Sequence, residues 1–308
     1  MPGNKRNFIA VLGMFDGMHI GHRAVFENAR FIKMMTGQPI AVFTFSGSSM
    51  LPKYGGRRDV LLMSDSDKRE AMREQGAVMI TEAGSGFFDH TPEEFFELII
   101  KRKFNALHVV CGRDFRFGKD RAGDVYTLND LCNSCGIRLS AVPITCGGEP
   151  YLPVSSSRIR DLIREGETEA AAELLGHEMY YTLPVLHGKE LGRTMGFPTI
   201  NQVIPDYMVH PKRGVYASLA EIPGDEREYP AITDIGVKPT VGSDGTEIME
   251  THMIGYTGDL YDKTVRVKLH SFIRPEQKFE GLDDLQKQLI SDKKAAEEIF
   301  SERIKPIS

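Results

Sequence analysis

The stretch GMFDGMHIGH, residues 13–22, comes directly after the apolar run Phe8–Leu12. Val25, Phe26, Ala29, Ile32 and Met35 then recur at helical spacing, so His19 and His22 fall at a helix N-terminus. Such an end presents unpaired N–H groups and the positive pole of the helix, and both attract phosphate. Gly17 and Gly21 let backbone approach such a ligand closely. The other reading is a glycine-rich strand-to-helix turn with two surface histidines.

Working outward, the first half alternates. Apolar runs at 8–12, 40–45, 77–80, 106–111 and 137–142 read as buried strands, with helical stretches such as 67–74 and 92–102 between them. That order predicts a parallel sheet with helices on its faces. Ligands then bind at the carboxyl ends of strands, where strand order reverses. From about Tyr180 short β-rich runs follow one another at 180–186, 214–222, 229–235, 247–256 and 264–273. They predict a small antiparallel barrel, closed by an amphipathic helix over 282–300. The helical run ETEAAAELLG ends at Gly176, which suggests domains of 1–178 and 179–308.

Composition narrows the class. A net charge of −5 and a pI near 6.0 argue against nucleic-acid binding by bulk electrostatics. No apolar run approaches a membrane span, and the first residues lack a signal-peptide pattern, so the expected location is cytoplasmic. Cys132 and Cys135 form a C-x-x-C, but no second pair or close histidine pair completes a tetrahedral site. Reduced structural thiols are the better reading.

An H-x-G-H pair suits nucleotidyl transfer, in which a phosphate attacks the α-phosphorus of a nucleoside triphosphate. The substrate is its own nucleophile, so the protein need only position it and stabilise developing charge. GRDFRFG (112–118) follows the strand at 106–111 and falls on the same sheet edge, with Phe115 and Phe117 as candidates for inward packing. SSSRIR (155–160) combines hydroxyls and arginine at a helix start. Ser155 there is a candidate cap, while Ser156, Ser157 and Arg160 suit the distal phosphates of a triphosphate. In LGRTMGFPTIN (191–201), Gly192 and Gly196 shape a tight loop, and Thr199 and Asn201 offer the hard oxygens Mg²⁺ prefers. Its plainer reading is a loop before a strand, fixed by Pro198.

Taken together, G-x-F-D-G-x-H-x-G-H, G-x-D-F-x-F-G, V-S-S-S-x-I-R and G-R-x-x-G-F-P-T-x-N resemble the bacterial bifunctional riboflavin kinase/FMN adenylyltransferase family, also called FAD synthetases. The resemblance implies a Rossmann-like nucleotidyltransferase domain followed by a β-barrel riboflavin kinase domain. It implies that His19 and His22 contact ATP phosphates within a frame of Gly13, Phe15, Asp16, Gly17 and Gly21, with Asp114 in the same site. Ser156, Ser157 and Arg160 would clamp the distal phosphates. In the kinase half, Gly192, Arg193, Gly196 and Pro198 would form the ATP loop, with Thr199 and Asn201 as ligands of Mg²⁺. Glu250 would be the base that takes the 5′-hydroxyl proton of riboflavin, its alternative being a solvent-facing strand carboxylate. Arg274 is either a lid over flavin or nucleotide, or a surface salt bridge.

The expected activity is therefore phosphorylation of riboflavin to FMN and adenylylation of FMN to FAD, both from ATP, by a monomer or weak homo-oligomer. Small molecules are the expected partners, with no nucleic acid and no membrane. Two departures stand out: DLYDK, with Asp262 in place of the usual glycine, and Ser46-Gly47-Ser48 where the family carries Pro-His-Pro near the flavin. The second predicts a mobile loop and weak FMN binding. It also keeps two rivals in view: a kinase whose adenylylation is lost or redirected, and a non-catalytic flavin- or nucleotide-binding regulator.

Overall fold

Phe8–Leu12 forms β1, buried at every position. Burial on both faces is what a central parallel strand requires, and it accounts for a run with no polar alternation. The computed structural model describes residues 6–51, 59–187, 192, 196–237 and 246–301. The chain divides into two compact units, Met1–Ser156 and Ser157–Ser308.

In the first unit β1 pairs in parallel with β2 (Ile40–Phe45) and with β4 (Ala106–Gly112). Adding β3 (Ala77–Ala83) and β5 (Arg138–Val142) gives the all-parallel order β3-β2-β1-β4-β5. The order reverses between β1 and β4, so the gap beyond their carboxyl ends is a switch point. The helices α1 (Ile20–Thr36), α2 (Gly47–Met50), α3 (Asp65–Glu74), α4 (Pro92–Phe95) and α5 (Val125–Ser134) lie between the strands. Phe8, Ala10 and Leu12 share one core with Phe95, Phe96, Ile99, Ile100 and Leu128. By the period of two, Ile9 and Val11 face the other side.

One expectation changes here. The helix expected over 92–102 starts with a capping box at Thr91 and Glu94, but widens from Phe96 to Lys103 into five-residue turns. Phe104 N accordingly donates to Ile99 O, 2.9 Å away. The stretch at 46–49, expected to be a mobile loop, leads into the helical turn α2. Asp65 Oδ1 accepts the Gly47 N–H at 2.7 Å, and Ser49 Oγ donates to Ser46 O. A short hairpin, β6 (Cys146–Gly147) with β7 (Leu152–Pro153), has no counterpart in the sequence reading, because two-residue strands leave no periodic signal.

The second unit opens with α6 (Ser156–Glu165), whose first residue closes the first unit, and α7 (Thr168–Leu175). Six antiparallel strands follow: β8 (Met179–Pro184), β9 (Ile200–Val203), β10 (Gly214–Glu221), β11 (Glu228–Val237), β12 (Glu247–Met253) and β13 (Thr264–Arg274). Their order is β8-β13-β10-β11-β12-β9, and a bridge between Leu186 and Asn201 brings the two edges together, so the barrel is nearly closed. Gln202 secures that seam by donating its buried amide to Leu183 O (2.7 Å) and Val265 O (2.9 Å). Inside, the hydroxyls of Ser218, Thr233 and Thr251 form a continuous chain. On the outside, α8 (Leu282–Ile299) covers Val215, Ala217, Leu219 and Ile232 through Ala296, with Phe300 just beyond its end.

Candidate active sites

GMFDGMHIGH leaves β1 at the switch point and GRDFRFG leaves β4 beside it. His19 caps α1: its Nδ1 accepts the His22 N–H at 3.3 Å, so in the neutral ring the proton sits on Nε2. The two imidazoles stack with centroids 3.6 Å apart and an interplanar angle of 16°. A Cβ on Gly21 would lie 3.2 Å from the His19 ring, so a side chain there crowds the stack. Burial pushes the His19 imidazole down to about 4. His22 lies well below its usual 6.5, through burial first and the adjacent His19 second. Both rings are therefore neutral N–H donors at pH 7. The Nδ1 of His22 is buried without a hydrogen-bond partner, which is unusual enough to require a reason.

The rest of the motif supports this pair from beneath. Phe15 is held at φ 54° and buried, its ring edge-on to His22 at 5.3 Å and tilted against Phe26 at 5.0 Å. Gly13 leaves room for that ring, since a Cβ there would meet it at 2.6 Å. Asp16 Oδ1 accepts the Leu62 N–H at 2.9 Å, and Asp16 O accepts the Ser156 hydroxyl at 3.0 Å. Gly17 turns the chain at φ 78°. Asp114 is exposed just past β4. In α6, Arg160 is buried and its Nη2 donates to Ser157 Oγ at 3.0 Å.

Beside the H-x-G-H turn lies a cavity of about 110 Å³ that the sequence reading did not foresee. Seven phenylalanines line it, at 43, 45, 87, 88, 95, 115 and 117, together with Gly13 and Met14. The signal was present as Phe43 and Phe45 on one strand and the pairs Phe87-Phe88 and Phe95-Phe96. Lys68, only 4% exposed, donates to Phe45 O at 2.6 Å and pairs with Asp65 at 3.3 Å. Through Phe45 and the Asp65–Gly47 bond it fixes the wall where Pro-His-Pro is missing. Were this cavity to take the flavin, as the resemblance implies for this wall, Lys68→Met would raise the FMN KM about tenfold and leave the ATP KM nearly unchanged, as steady-state adenylylation would show. Equal FMN and ATP effects would count against it.

The buried histidines also make stability depend on pH. Their folded pKa values lie below the unfolded 6.5, so the unfolded chain binds more protons as pH falls from 6.5 toward 4. Stability is thus complete above pH 6.5 and lost below it, with His19 accounting for about 3 kcal/mol. Melting measured from pH 7 to 4.5 should fall less steeply for His19→Asn than for the parent. Parallel curves would contradict the burial argument.

In the barrel, register puts Glu250 of β12 opposite Asn201 of β9 on one side and Asp234 of β11 on the other. Directly paired side chains on one face lie about 5 Å apart at Cβ. A cleft of about 310 Å³ is lined by Thr199, Ile200, Thr251, Met253 and the turn Tyr256–Tyr261. Thr199 and the Ile200–Thr251 row face this cleft, whereas Asn201 and Glu250, one residue on along each strand, project to the opposite face. Phe197 N donates to Gly192 O, Gly196 sits at φ 80°, and Pro198 is exposed. Arg193 lies outside the described residues. Arg274 is engaged within the protein: its Nη2 meets Asp292 Oδ2 of α8 at 2.7 Å, and Asp292 is 1% exposed.

Thr199 offers a hydroxyl, Asn201 an amide and Glu250 a carboxylate oxygen, the donor types a Mg²⁺–phosphate complex uses. Among the described residues no group of three or more His, Cys, Asp or Glu converges on a metal-sized site. Cys111 and Cys132 are buried thiols whose pKa burial pushes up to about 12.

An H-x-G-H turn at the switch point of a parallel sheet, followed by a barrel with a carboxylate beside P-T-x-N, defines a nucleotidyltransferase unit joined to a kinase unit. The family model for FAD synthetase matches residues 1–158, and that for riboflavin kinase matches 175–300. The chain is 31% identical over 299 residues to the bifunctional riboflavin kinase/FMN adenylyltransferase of Listeria monocytogenes, covering 96% of this chain and 93% of that one. It is 30% identical to the protein of the same name from Escherichia coli K12 over 295 residues, covering 95% and 92%. The chain belongs to the bifunctional riboflavin kinase/FMN adenylyltransferase family. A solved structure described as a macrolide-efflux protein from Streptococcus pneumoniae aligns with a TM-score of 0.82 at 29% identity, covering 96% of this chain and 95% of that one. Among the described residues no helix is long and apolar enough to cross a membrane.

Proposed function

We infer that this chain makes FMN from riboflavin and ATP, then FAD from FMN and a second ATP with release of pyrophosphate. The observation that carries this reading is the pairing of each family match with the corresponding chemistry: stacked neutral histidines in the first unit, Glu250 opposite Asn201 in the second.

For adenylylation, an FMN phosphate oxygen attacks the α-phosphorus of ATP and the bond to pyrophosphate breaks. The N–H groups of His19 and His22 and the start of α1 meet the developing charge, while the substrate supplies the nucleophile. Ser156, Ser157 and Arg160 hold the departing phosphates, Asp114 belongs to the same site, and the phenylalanine cavity takes part of the flavin ring. Gly13, Phe15, Asp16 and Gly17 act by holding the histidines in place.

For phosphorylation, Glu250 takes the proton of the riboflavin 5′-hydroxyl as that oxygen attacks the γ-phosphorus and ADP leaves. Thr199 and Asn201 would hold Mg²⁺, which when bound offsets phosphate charge. Gly192, Arg193, Gly196 and Pro198 shape the nucleotide loop, and Arg274 supports the site from outside by anchoring α8. The functional boundary falls at 178/179, so the adenylylating half includes α6. The enzyme works in the cytoplasm on small molecules, as a monomer or weak homo-oligomer.

Incubating pure protein with riboflavin, ATP and Mg²⁺ and resolving the flavins by chromatography tests the reading. FMN followed by FAD is expected. FMN alone would point to lost or redirected adenylylation, and unchanged riboflavin would point to a regulator.

A further inference from the structure

The β12–β9 ladder runs from Ile248–Val203 to Thr251–Ile200 and stops there. Thr199 therefore lies one residue beyond the last sheet pair, and something other than the sheet must hold it. Two contacts do so. Phe197 N donates to Gly192 O at 2.8 Å, closing the loop from one side. On the other, His252 Nδ1 lies 2.8 Å from Pro198 O. A carbonyl only accepts, so this nitrogen carries the proton. The His252 ring is 8% exposed and packs at 5.1 Å against Phe197. His252 is also two residues from Glu250 on the same strand, and so on the same face.

We propose that His252 is a positioning residue for phosphoryl transfer, whose Nδ1–H holds the Pro198 carbonyl and thereby fixes Thr199 relative to the strand that carries Glu250. This rests on the reading of Thr199 as a nucleotide–Mg²⁺ residue. It explains why E-T-H and F-P-T, some fifty residues apart, act together: one hydrogen bond joins the base-bearing strand to the ligand-bearing segment.

The test compares two variants with Thr199→Ala. His252→Phe keeps a ring against Phe197 but cannot donate; His252→Asn loses the ring but offers an N–H near the position of Nδ1. Binding of ADP with Mg²⁺ is measured by calorimetry, alongside kinase KM and kcat and the adenylylation rate of the same samples. His252→Phe should weaken nucleotide binding and raise the ATP KM at least tenfold, His252→Asn should recover most of this, and adenylylation should stay within about twofold. Normal binding by His252→Phe while Thr199→Ala loses it would overturn the proposal alone. Normal binding by both would overturn the reading of Thr199 as well. Equal loss in the Phe and Asn variants, with barrel melting unchanged, would assign the effect to ring packing and also overturn it.

Discussion

Glu250→Gln is expected to lower riboflavin phosphorylation by roughly 10²–10⁴ while adenylylation of supplied FMN continues. The substitution keeps the shape and hydrogen-bonding capacity of the side chain but removes the base. Its neighbours in register, Asn201 and Asp234, cannot substitute: one is an amide, and the other sits a strand farther from Thr199. Stopped-time assays of FMN formation read the effect directly. A normal phosphorylation rate would mean that Glu250 is a solvent-facing strand carboxylate.

The second large effect is expected at His22. His22→Ala should reduce FAD formation from FMN by about a hundredfold or more, the usual loss when a group aimed at transition-state charge is removed. FMN formation from riboflavin should remain close to normal, because the barrel is a separate compact unit. The intact kinase activity also serves as the control for folding. The change removes the Phe15 contact too, so melting of the first unit should be recorded alongside. Equal loss of both activities in a folded variant would contradict separate sites.

Much of this was legible in the sequence, for identifiable reasons. β1 could be read because a doubly covered parallel strand is apolar throughout, and the five longer barrel strands because turns punctuate them. β9 is only faintly legible, as the strand that a loop fixed by Pro198 would enter, because its polar Asn201 and Gln202 look like loop, although Gln202 is buried to satisfy two carbonyls at the seam. The phenylalanine cavity was hidden because four separate segments supply its phenylalanines. A motif also cannot tell a residue that touches a ligand from one that holds such a residue. The motif places Phe15 and Asp16 with the ligand-binding residues, and the fold adds contacts of Phe15 with His22 and Phe26 and of Asp16 with the Leu62 N–H. Arg274 is similar, its partner Asp292 lying eighteen residues on, in a helix whose packing only the fold reveals.

The loop at 46–49 carries a different lesson. Glycine and serine suggested mobility by composition, but a carboxylate from α3 takes the Gly47 N–H and a buried lysine takes the Phe45 carbonyl. Long-range polar contacts thus reach a segment whose own composition gives no sign of them. A residue with a Cβ at position 47 would meet Leu61 at 2.5 Å, so Pro-His-Pro cannot simply be grafted back without moving Leu61.

The central claim is that one chain carries two independent active sites joined only by the FMN that passes between them. The most direct measurement mixes Glu250→Gln with His22→Ala and supplies riboflavin, ATP and Mg²⁺. Alone, the first should leave riboflavin nearly unchanged and the second should stop at FMN. Together they should produce FAD, because FMN released by one protein is substrate for the other. FAD absent from the mixture, with each variant folded and retaining its own remaining activity, would contradict independent sites.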